Sequence, residues 1–240
     1  FVGAASAYLG SIMVLKRMAL VGDALSHVAL PGIGIALTYN LNPFLGAFTA
    51  LALGILLIWQ IEKKTGIPTE ALVGLIFAFS LAIGILVTPE PELLEALFGD
   101  ISKVSAGDAV LGIILSIVVF VSMALSKNNL VLGIVSPDLA KAQGVKVYWL
   151  NLLFLGLVAI IVALGVKVVG TLLMGSLVII PAVASKNIAR NFNAYGLISL
   201  LLGLVSAVSG VFLAALWNLP PGPIVVLTSA ALFILSLLFV

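Results

Sequence analysis

The stretch that decides the fold runs from Lys16 to Pro43, KRMALVGDALSHVALPGIGIALTYNLNP. Two cations open it, and a mostly apolar run follows that is long enough to cross a bilayer, which takes about 20 helical residues. Inside this run lie Asp23 and His27, the only histidine of the chain. They are four residues apart, so a helix places both side chains on one face, one turn apart.

The depth of these two residues makes them functional candidates. At about 1.5 Å per residue, Asp23 lies about 9 Å and His27 about 15 Å beyond Arg17 along the helix axis. A hydrocarbon core is about 30 Å thick, so His27 is expected near its middle. A carboxylate at that depth costs about 2.5–3.5 kcal/mol on insertion scales, which indicates a selected role.

A carboxylate oxygen and an imidazole nitrogen on one face suit divalent zinc, manganese or iron. The chain has no cysteine, so it is a poor match for copper(I). Two other interpretations stay open, an internal ion pair or hydrogen bond that stabilises the bundle, and a proton relay. Two ligands hold a metal poorly, but a symmetric dimer meeting on this helix would supply four.

The composition places the whole chain in the membrane. Of its 240 residues, 63% are hydrophobic and 8% are charged, with a mean hydropathy of +1.36, whereas soluble domains carry about 25% charged residues. The net charge of +2 is too small and scattered to indicate nucleic-acid binding. No alternation of period two occurs, which favours helices over a barrel.

We therefore predict an all-α, polytopic transmembrane helical bundle of eight or nine spans, forming one domain over 1–240. We expect residues 1–15 to be the remaining part of a spanning helix that starts upstream. The candidate spans are 1–15, 19–39, 44–61, 69–88, 107–125, 147–165, 168–185, 194–216 and 222–240. Tight junctions at 40–43 and 165–167 predict antiparallel hairpins.

The cations orient the bundle, since cytoplasmic loops of membrane proteins are enriched in lysine and arginine. The cations of one side are Lys16, Arg17, Lys63, Lys64, Lys127, Lys141, Lys146, Lys186 and Arg190. The other side holds only Lys103 and Lys167, so the first side is cytoplasmic. The outer loop 89–106 is acidic and is predicted to form a short amphipathic helix. It either attracts cations or a partner, or is a solvated loop.

The cytoplasmic loop 126–146 is predicted to contain a short capped helix. Ser136 suits the N-cap, Pro137 the first helical position, Asp138 the positive helix end and Gly144 the C-terminal stop. A loop that only connects two spans needs no such signals. We interpret the helix as a docking element for a cytoplasmic partner, with a helix in the membrane interface as the alternative.

Several classes of enzyme are excluded. The chain has no H-E-x-x-H motif of zinc proteases and no glycine-rich phosphate loop of ATPases. Ser26 is adjacent to His27 and hence about 100° away around the helix, which argues against a nucleophile–base pair. Pro31 and Pro181 fall within spans, where each is predicted to kink its helix.

The segment 15–37, LKRMALVGDALSHVALPGIGIAL, resembles the membrane permease subunit of bacterial ABC importers for zinc, manganese and iron. That family carries an R-x-M-x-L-x-G-D-x-[LI]-S-H pattern in an early helix. The likeness continues, in order along the chain, at 97–102 (LFGDIS), 137–145 (PDLAKAQGV), 168–185 (VVGTLLMGSLVIIPAVAS) and 220–239 (PPGPIVVLTSAALFILSLLF).

The resemblance implies a multi-pass permease of the bacterial cytoplasmic membrane, a homodimer or a pair of related chains with the pathway between them. It also implies ATP-binding-cassette subunits on the cytoplasmic side and an extracytoplasmic metal-binding protein that delivers the ion. Asp23 and His27 would contact the metal, which passes transiently, and no permanently bound cofactor is implied. The residues implied to couple to the ATPase are Pro137, Asp138, Leu139, Ala140, Lys141, Ala142, Gln143 and Gly144.

Two other functions remain as alternatives to this one. A secondary or proton-coupled metal transporter could use the same pair of side chains without an ATPase. An ABC permease for a metal chelate or vitamin would need a wide pathway lined by aromatic side chains.

Overall fold

The computed structural model describes residues 1–88, 96–97, 99 and 104–239, with the backbone alone for Val168 and Leu172. Every regular element in these ranges is helical. The helices are α1 Val2–Leu15, α2 Val21–Val28, α3 Leu30–Thr38, α4 Pro43–Thr65, α5 Thr69–Val87, α6 Ala106–Val135, α7 Pro137–Ala142, α8 Val147–Val169, α9 Thr171–Ile188, α10 Phe192–Trp217 and α11 Pro221–Ser236, followed by a 3₁₀ turn Leu237–Phe239. Most of the predicted outer loop 89–106, with its amphipathic helix, lies outside the described residues.

The all-helical, multi-pass architecture is confirmed. In the described ranges, 7 helical segments are long and apolar enough to cross a membrane, with α2 and α3 counted together as one segment, Val21–Thr38. Two shorter apolar helices, Val2–Leu15 and Leu173–Ile188, lie where two further spans were predicted. The predicted number of spans is therefore close to the observed one.

The cytoplasmic loop is shorter than predicted. Helix α6 has 30 residues and continues to Val135, so the prediction of a loop was wrong for 126–135. The helix stops at Val135, two residues before Pro137, because the residue before a proline, Ser136, is disfavoured in the α conformation. Ser136 accordingly has φ −150° and ψ 93° and is the only residue between α6 and α7.

The hairpin predicted at 165–167 lies further along the chain. Helix α8 runs through these residues to Val169, and the turn is made by Gly170, with φ 77° and ψ 170°. Positive φ is readily adopted by glycine, which has no Cβ. Gly165 instead stays helical and packs against the Met174 side chain.

The span predicted at 19–39 is divided into two helices. α2 ends at Val28 and α3 begins at Leu30, with Ala29 between them. Pro31 lies in the first turn of α3, where its missing N–H leaves no intrahelical bond unmade. Pro181 lies inside α9, which is one continuous helix in the structure.

The bundle has a buried centre and a lipid-facing periphery. Buried residues make up 67% of the apolar stretch in α8 and 56% of that in α2–α3, against 22–28% in α4, α5, α6, α10 and α11. Small residues let α1 approach its neighbours closely, since a Cβ at Gly3 would lie 2.9 Å from the Gly203 carbonyl oxygen. The Ser199 hydroxyl also donates to the Ala7 carbonyl at 2.6 Å.

Polar contacts mark the two ends of the bundle and agree with the predicted sides. At the end predicted to be cytoplasmic the Lys16 ammonium donates to the Asn151 side chain at 2.6 Å. At the outer end the Lys167 ammonium lies 2.6 Å from the Asp108 carboxylate. Asn151 lies in the second turn of α8 and Lys167 in its last, so Lys16 and Lys167, which the charge pattern assigns to opposite sides of the membrane, lie at opposite ends of this helix.

Candidate metal-ion site

Helix α2 holds the predicted metal-binding pair inside the bundle. It has 8 residues, with Asp23 in its first turn and His27 in its last. An acid near the N-terminus and a base near the C-terminus both complement the helix dipole. Val21, Leu25 and Val28 are buried and anchor the helix, whereas Asp23 and His27 are half-buried.

The hydrogen bonding of His27 leaves one ring nitrogen for a ligand. Nδ1 lies 3.1 Å from the Asp23 carbonyl oxygen, so in the Nδ1–H tautomer it donates there. Nε2 then keeps its lone pair, which is the usual arrangement of a histidine that binds metal. The ring packs edge-on against Phe77 of α5, with centroids 5.4 Å apart, which restricts its orientation.

The Asp23 carboxylate lies against helix α9. A Cβ at Gly175 would be 2.6 Å from the Asp23 Cβ and 2.9 Å from Oδ1, so a glycine is required at this position. Although both residues are described, no hydrogen bond or salt bridge joins the Asp23 carboxylate to the His27 ring. A side-chain ion pair between these two residues is therefore not formed within the chain, and the assignment of the pair as metal ligands stays a prediction.

Ser26 belongs to the site, although sequence reasoning had set it aside. Its fully buried hydroxyl lies 2.7 Å from the Asp23 carbonyl oxygen, 2.7 Å from the Thr171 carbonyl oxygen and 3.3 Å from His27 Nδ1. Two of these contacts are to backbone carbonyls, so the hydroxyl holds the helix in place. A serine inside an apolar run, which needs a partner once buried, was the signal available in the sequence.

The described part of one chain offers too few ligands for a closed metal site. Among the described residues, no group of three or more His, Cys, Asp or Glu side chains could hold a metal ion. Asp23 and His27 therefore form half of a four-ligand site at most. An ion bound by this chain alone would complete its coordination with water.

A family model matches the whole chain. The ABC 3 transport family model covers residues 1–240. The chain belongs to the ABC 3 transport family. This confirms the resemblance drawn from 15–37 and the later segments, and it makes the chain a multi-pass permease of the cytoplasmic membrane rather than an enzyme.

Curated members of the family are similar over almost their full length. The manganese transport system membrane protein MntC of Listeria monocytogenes is 29% identical, over 99% of this chain and 86% of its own. The manganese import system permease protein ScaB of Streptococcus gordonii is 30% identical, over 98% and 86%. The high-affinity zinc uptake system membrane protein ZnuB of Haemophilus influenzae is 31% identical, over 97% and 91%.

A solved structure has the same fold. PsaBC from Streptococcus pneumoniae, in complex with Fab, matches with a TM-score of 0.84 and 27% identity. The match covers 98% of this chain and 86% of the PsaBC chain. The arrangement of helices around α2 is therefore one already seen in a solved structure.

The short helix of this ABC 3 family member lies where the resemblance placed its coupling element. α7 spans Pro137–Ala142, and the Leu139 amide donates to the Ser136 hydroxyl at 3.4 Å. Gly144, with φ 80°, follows the helix end. Ala140 is fully buried against the bundle, while Leu139 is 57% exposed, so the predicted cap and stop are confirmed and one face of α7 is open.

Proposed function

We propose that this chain is the permease of an ABC importer that moves a divalent transition metal ion into the cytoplasm past Asp23 and His27. The proposal depends on one observation, that these two side chains lie inside an apolar bundle without bonding to each other. The carboxylate and the His27 Nε2 atom lie on one helix and are not bonded to each other. Oxygen and nitrogen donors of this kind suit manganese, zinc and iron(II).

The pathway is proposed to lie between two permease chains. One chain supplies one carboxylate and one imidazole, and the lack of a third ligand among the described residues argues for a second chain. Two copies related by a two-fold axis would place two carboxylates and two imidazoles around one ion. A homodimer is the simplest assembly of this kind, and a pair of related permeases would serve equally.

Metal binding at this site is proposed to be weak and transient. An ion held by a rigid, complete set of ligands would not leave, since conduction needs sites that release their ion. Two half-sites on separate chains can approach and separate as the assembly changes conformation. The pair would thus be exposed in turn to the outer and the cytoplasmic side.

Partner subunits are proposed to supply energy and substrate. The chain carries no glycine-rich phosphate loop, so ATP hydrolysis belongs to separate ATP-binding-cassette subunits. The open face of α7, with Leu139 exposed and Asp138 at its start, is proposed as their docking surface. An extracytoplasmic metal-binding protein would deliver the ion at the opposite end.

Uptake into proteoliposomes by the full complex tests the proposal. Manganese, zinc and iron(II) would compete, with Asp23→Asn and His27→Ala as test variants and Glu70→Gln, a surface acid at the start of α5, as the control. We expect ATP-dependent uptake in the wild type and the control, and loss of uptake with intact assembly in both test variants. Uptake near the wild-type rate in both would refute the role of the pair.

The same assay separates the two alternative functions. A secondary transporter would move metal through the isolated chain along an ion gradient, without ATPase subunits. A chelate permease would transport the chelated metal in preference to the free ion, so an added chelator would raise uptake. We expect neither result.

Co-purification tests the docking of the ATPase on α7. Asp138→Ala or Ala142→Asp in this helix should cause the ATPase to be lost from the purified complex.

A further inference from the structure

Four side chains form a polar network at the cytoplasmic end of the bundle, away from the metal pair. The Asn151 amide nitrogen lies 3.1 and 3.0 Å from the two Glu62 carboxylate oxygens and 3.0 Å from the Thr69 hydroxyl. The Thr69 hydroxyl donates to Glu62 at 2.8 Å. The Lys16 ammonium donates to the Asn151 carbonyl oxygen at 2.6 Å, so Asn151 bridges a cation and an anion.

The bridge between Lys16 and Asn151 is largely withdrawn from solvent. Asn151 is 9% exposed, and the Lys16 ammonium lies 4.5 Å from the centroid of the Phe154 ring. Burial lowers the pKa of Lys16 to about 8, although the Glu62 carboxylate acts in the opposite direction. Separating Lys16 from Asn151 would leave polar groups without a partner in a site largely closed to water, so this contact resists separation.

Lys16 lies in the short segment that connects α1 to α2, the helix that carries the metal pair. It follows the last residue of α1, and only the break 16–20 separates it from α2. Arg17 in this break has φ 60°, a conformation that residues other than glycine adopt uncommonly. A short non-helical break with such a residue is a place where α2 can change direction relative to α1.

Asn151 lies near the start of α8, the helix that follows the proposed docking helix α7. It lies in the second turn of α8, which begins at Val147, five residues after the end of α7. A cavity of about 180 Å³ beside the contact is lined by Leu130, Gly133 and Ile134 of α6 and by Val147. The ends of α6 and α8, which flank α7, therefore have room to move next to Lys16.

We propose that Lys16 and Asn151 are positioning residues that transmit a movement of α7 to the helix carrying Asp23 and His27. This inference rests on the proposed function, because it needs an ATPase that acts on α7. A displacement of α7 shifts the start of α8, and the Asn151 side chain carries Lys16 with it. The break after Lys16 then converts this shift into a reorientation of α2.

The test compares two lysines that make the same kind of contact. Lys127 donates to the Asn193 side chain at 3.0 Å and joins α6 to α10 at the same end of the bundle, without touching the break before α2. Lys16→Met and Lys127→Met would each be assembled into the full complex. Metal ions transported per ATP hydrolysed would be measured in proteoliposomes, together with basal ATP hydrolysis and the melting temperature.

We expect Lys16→Met to assemble and hydrolyse ATP while transporting fewer ions per ATP, by about threefold or more, and Lys127→Met to keep the wild-type ratio. Lys16→Arg, which retains a donor, should recover most of the ratio. A second pair of variants tests the other partner. Asn151→Leu breaks the contact with Lys16, and its control Asn187→Leu breaks a similar amide contact, from Asn187 to Ser236 at 2.9 Å. Only Asn151→Leu should lower the ratio.

A wild-type ratio in Lys16→Met overturns the inference, as does an equal fall in Lys127→Met. If Lys16→Met does not assemble, Lys16→Gln and Lys127→Gln replace the two methionine variants, with the same expected outcomes. Failure of the proposed function gives a different result, because the wild-type complex would then show no ATP-driven metal uptake. Suppose that Asp23→Asn loses uptake but Lys16→Met transports as many ions per ATP as the wild type. This result overturns the inference about Lys16 and leaves the proposed function intact.

Discussion

The Ser26 hydroxyl lies 2.7 Å from the Thr171 carbonyl oxygen, and this bond joins the helix of the metal pair to the start of α9. Both residues are fully buried. Gly170 precedes Thr171 with φ 77° and sets the direction in which α9 leaves the turn. The position of Asp23 and His27 therefore depends on a residue that binds no ion and on a turn about 145 residues away.

Ser26→Ala should weaken metal uptake without removing a ligand. Losing one hydrogen bond of this kind costs about 0.5–1.5 kcal/mol, and α2 loses its bond to α9. Ser229→Ala is the matched control, because among the described residues that buried hydroxyl bonds only to Val225 of its own helix, at 3.0 Å. Uptake rates and melting temperatures of both variants test this, and equal uptake in the two would show that the Ser26 bond has no role in transport.

Gly175→Ala should disturb Asp23 directly. The added methyl group would lie 2.6 Å from the Asp23 Cβ and 3.0 Å from its Cα, so α2 and α9 must separate. Overpacking of this kind costs about 1–3 kcal/mol, and we expect uptake to fall strongly. Gly156→Ala in α8 has no neighbouring atom within 4 Å of the new Cβ and should transport normally. Normal uptake by Gly175→Ala would show that the spacing of α2 and α9 is not critical.

Asp108→Asn should destabilise the outer end of the bundle. The Asp108 carboxylate pairs with Lys167 at 2.6 Å, with side-chain exposures of 27% and 25%, and it also caps α6 through Ser105. Since the pair is partly exposed, we expect a loss of about 1 kcal/mol, at the upper end for such pairs.

The control for this change is Asp138→Asn. Its contact with Lys141 is 3.7 Å long and the two side chains are 95% and 62% exposed, so we expect little change in stability. Thermal unfolding of the solubilised chain measures both variants. A larger loss in Asp138→Asn than in Asp108→Asn would contradict the ranking by burial.

The half-buried Lys16 predicts a dependence of stability on pH. Its pKa in the folded chain is lowered from 10.5 to about 8 by burial. Between pH 8 and 10.5 the unfolded chain holds this proton and the folded chain does not, so the free energy of unfolding rises with pH, by at most about 1.4 kcal/mol per unit. The rise should be absent in Lys16→Met, and thermal unfolding of both chains from pH 7 to 10.5 measures the difference. Parallel curves would show that Lys16 is not desolvated.

Much of the architecture could be read from local pattern. Apolar runs of membrane length predict spanning helices, because lipid offers no hydrogen-bond partner to backbone N–H and C=O groups and a helix pairs them internally. The signals at Ser136, Pro137 and Gly144 predicted α7 correctly, since caps and stops depend on neighbouring residues alone. The ends of α6 and α8 were predicted wrongly, because hydropathy marks where the membrane ends and a helix can continue beyond it. Only Pro137 and Gly170 stop these two helices.

The sequence by itself determined that the chain crosses a membrane and that an acid and a histidine share one face of an early helix, and it predicted which end faces the cytoplasm. Each of these depends on composition or on short spacing. Only the tertiary structure decided that Ser26 is bonded to Thr171, that Gly175 makes room for Asp23, and that Lys16 reaches Asn151 across 135 positions of sequence. Such contacts depend on how helices cross and rotate against one another, and in lipid this is set by the packing of small and polar residues rather than by hydrophobicity.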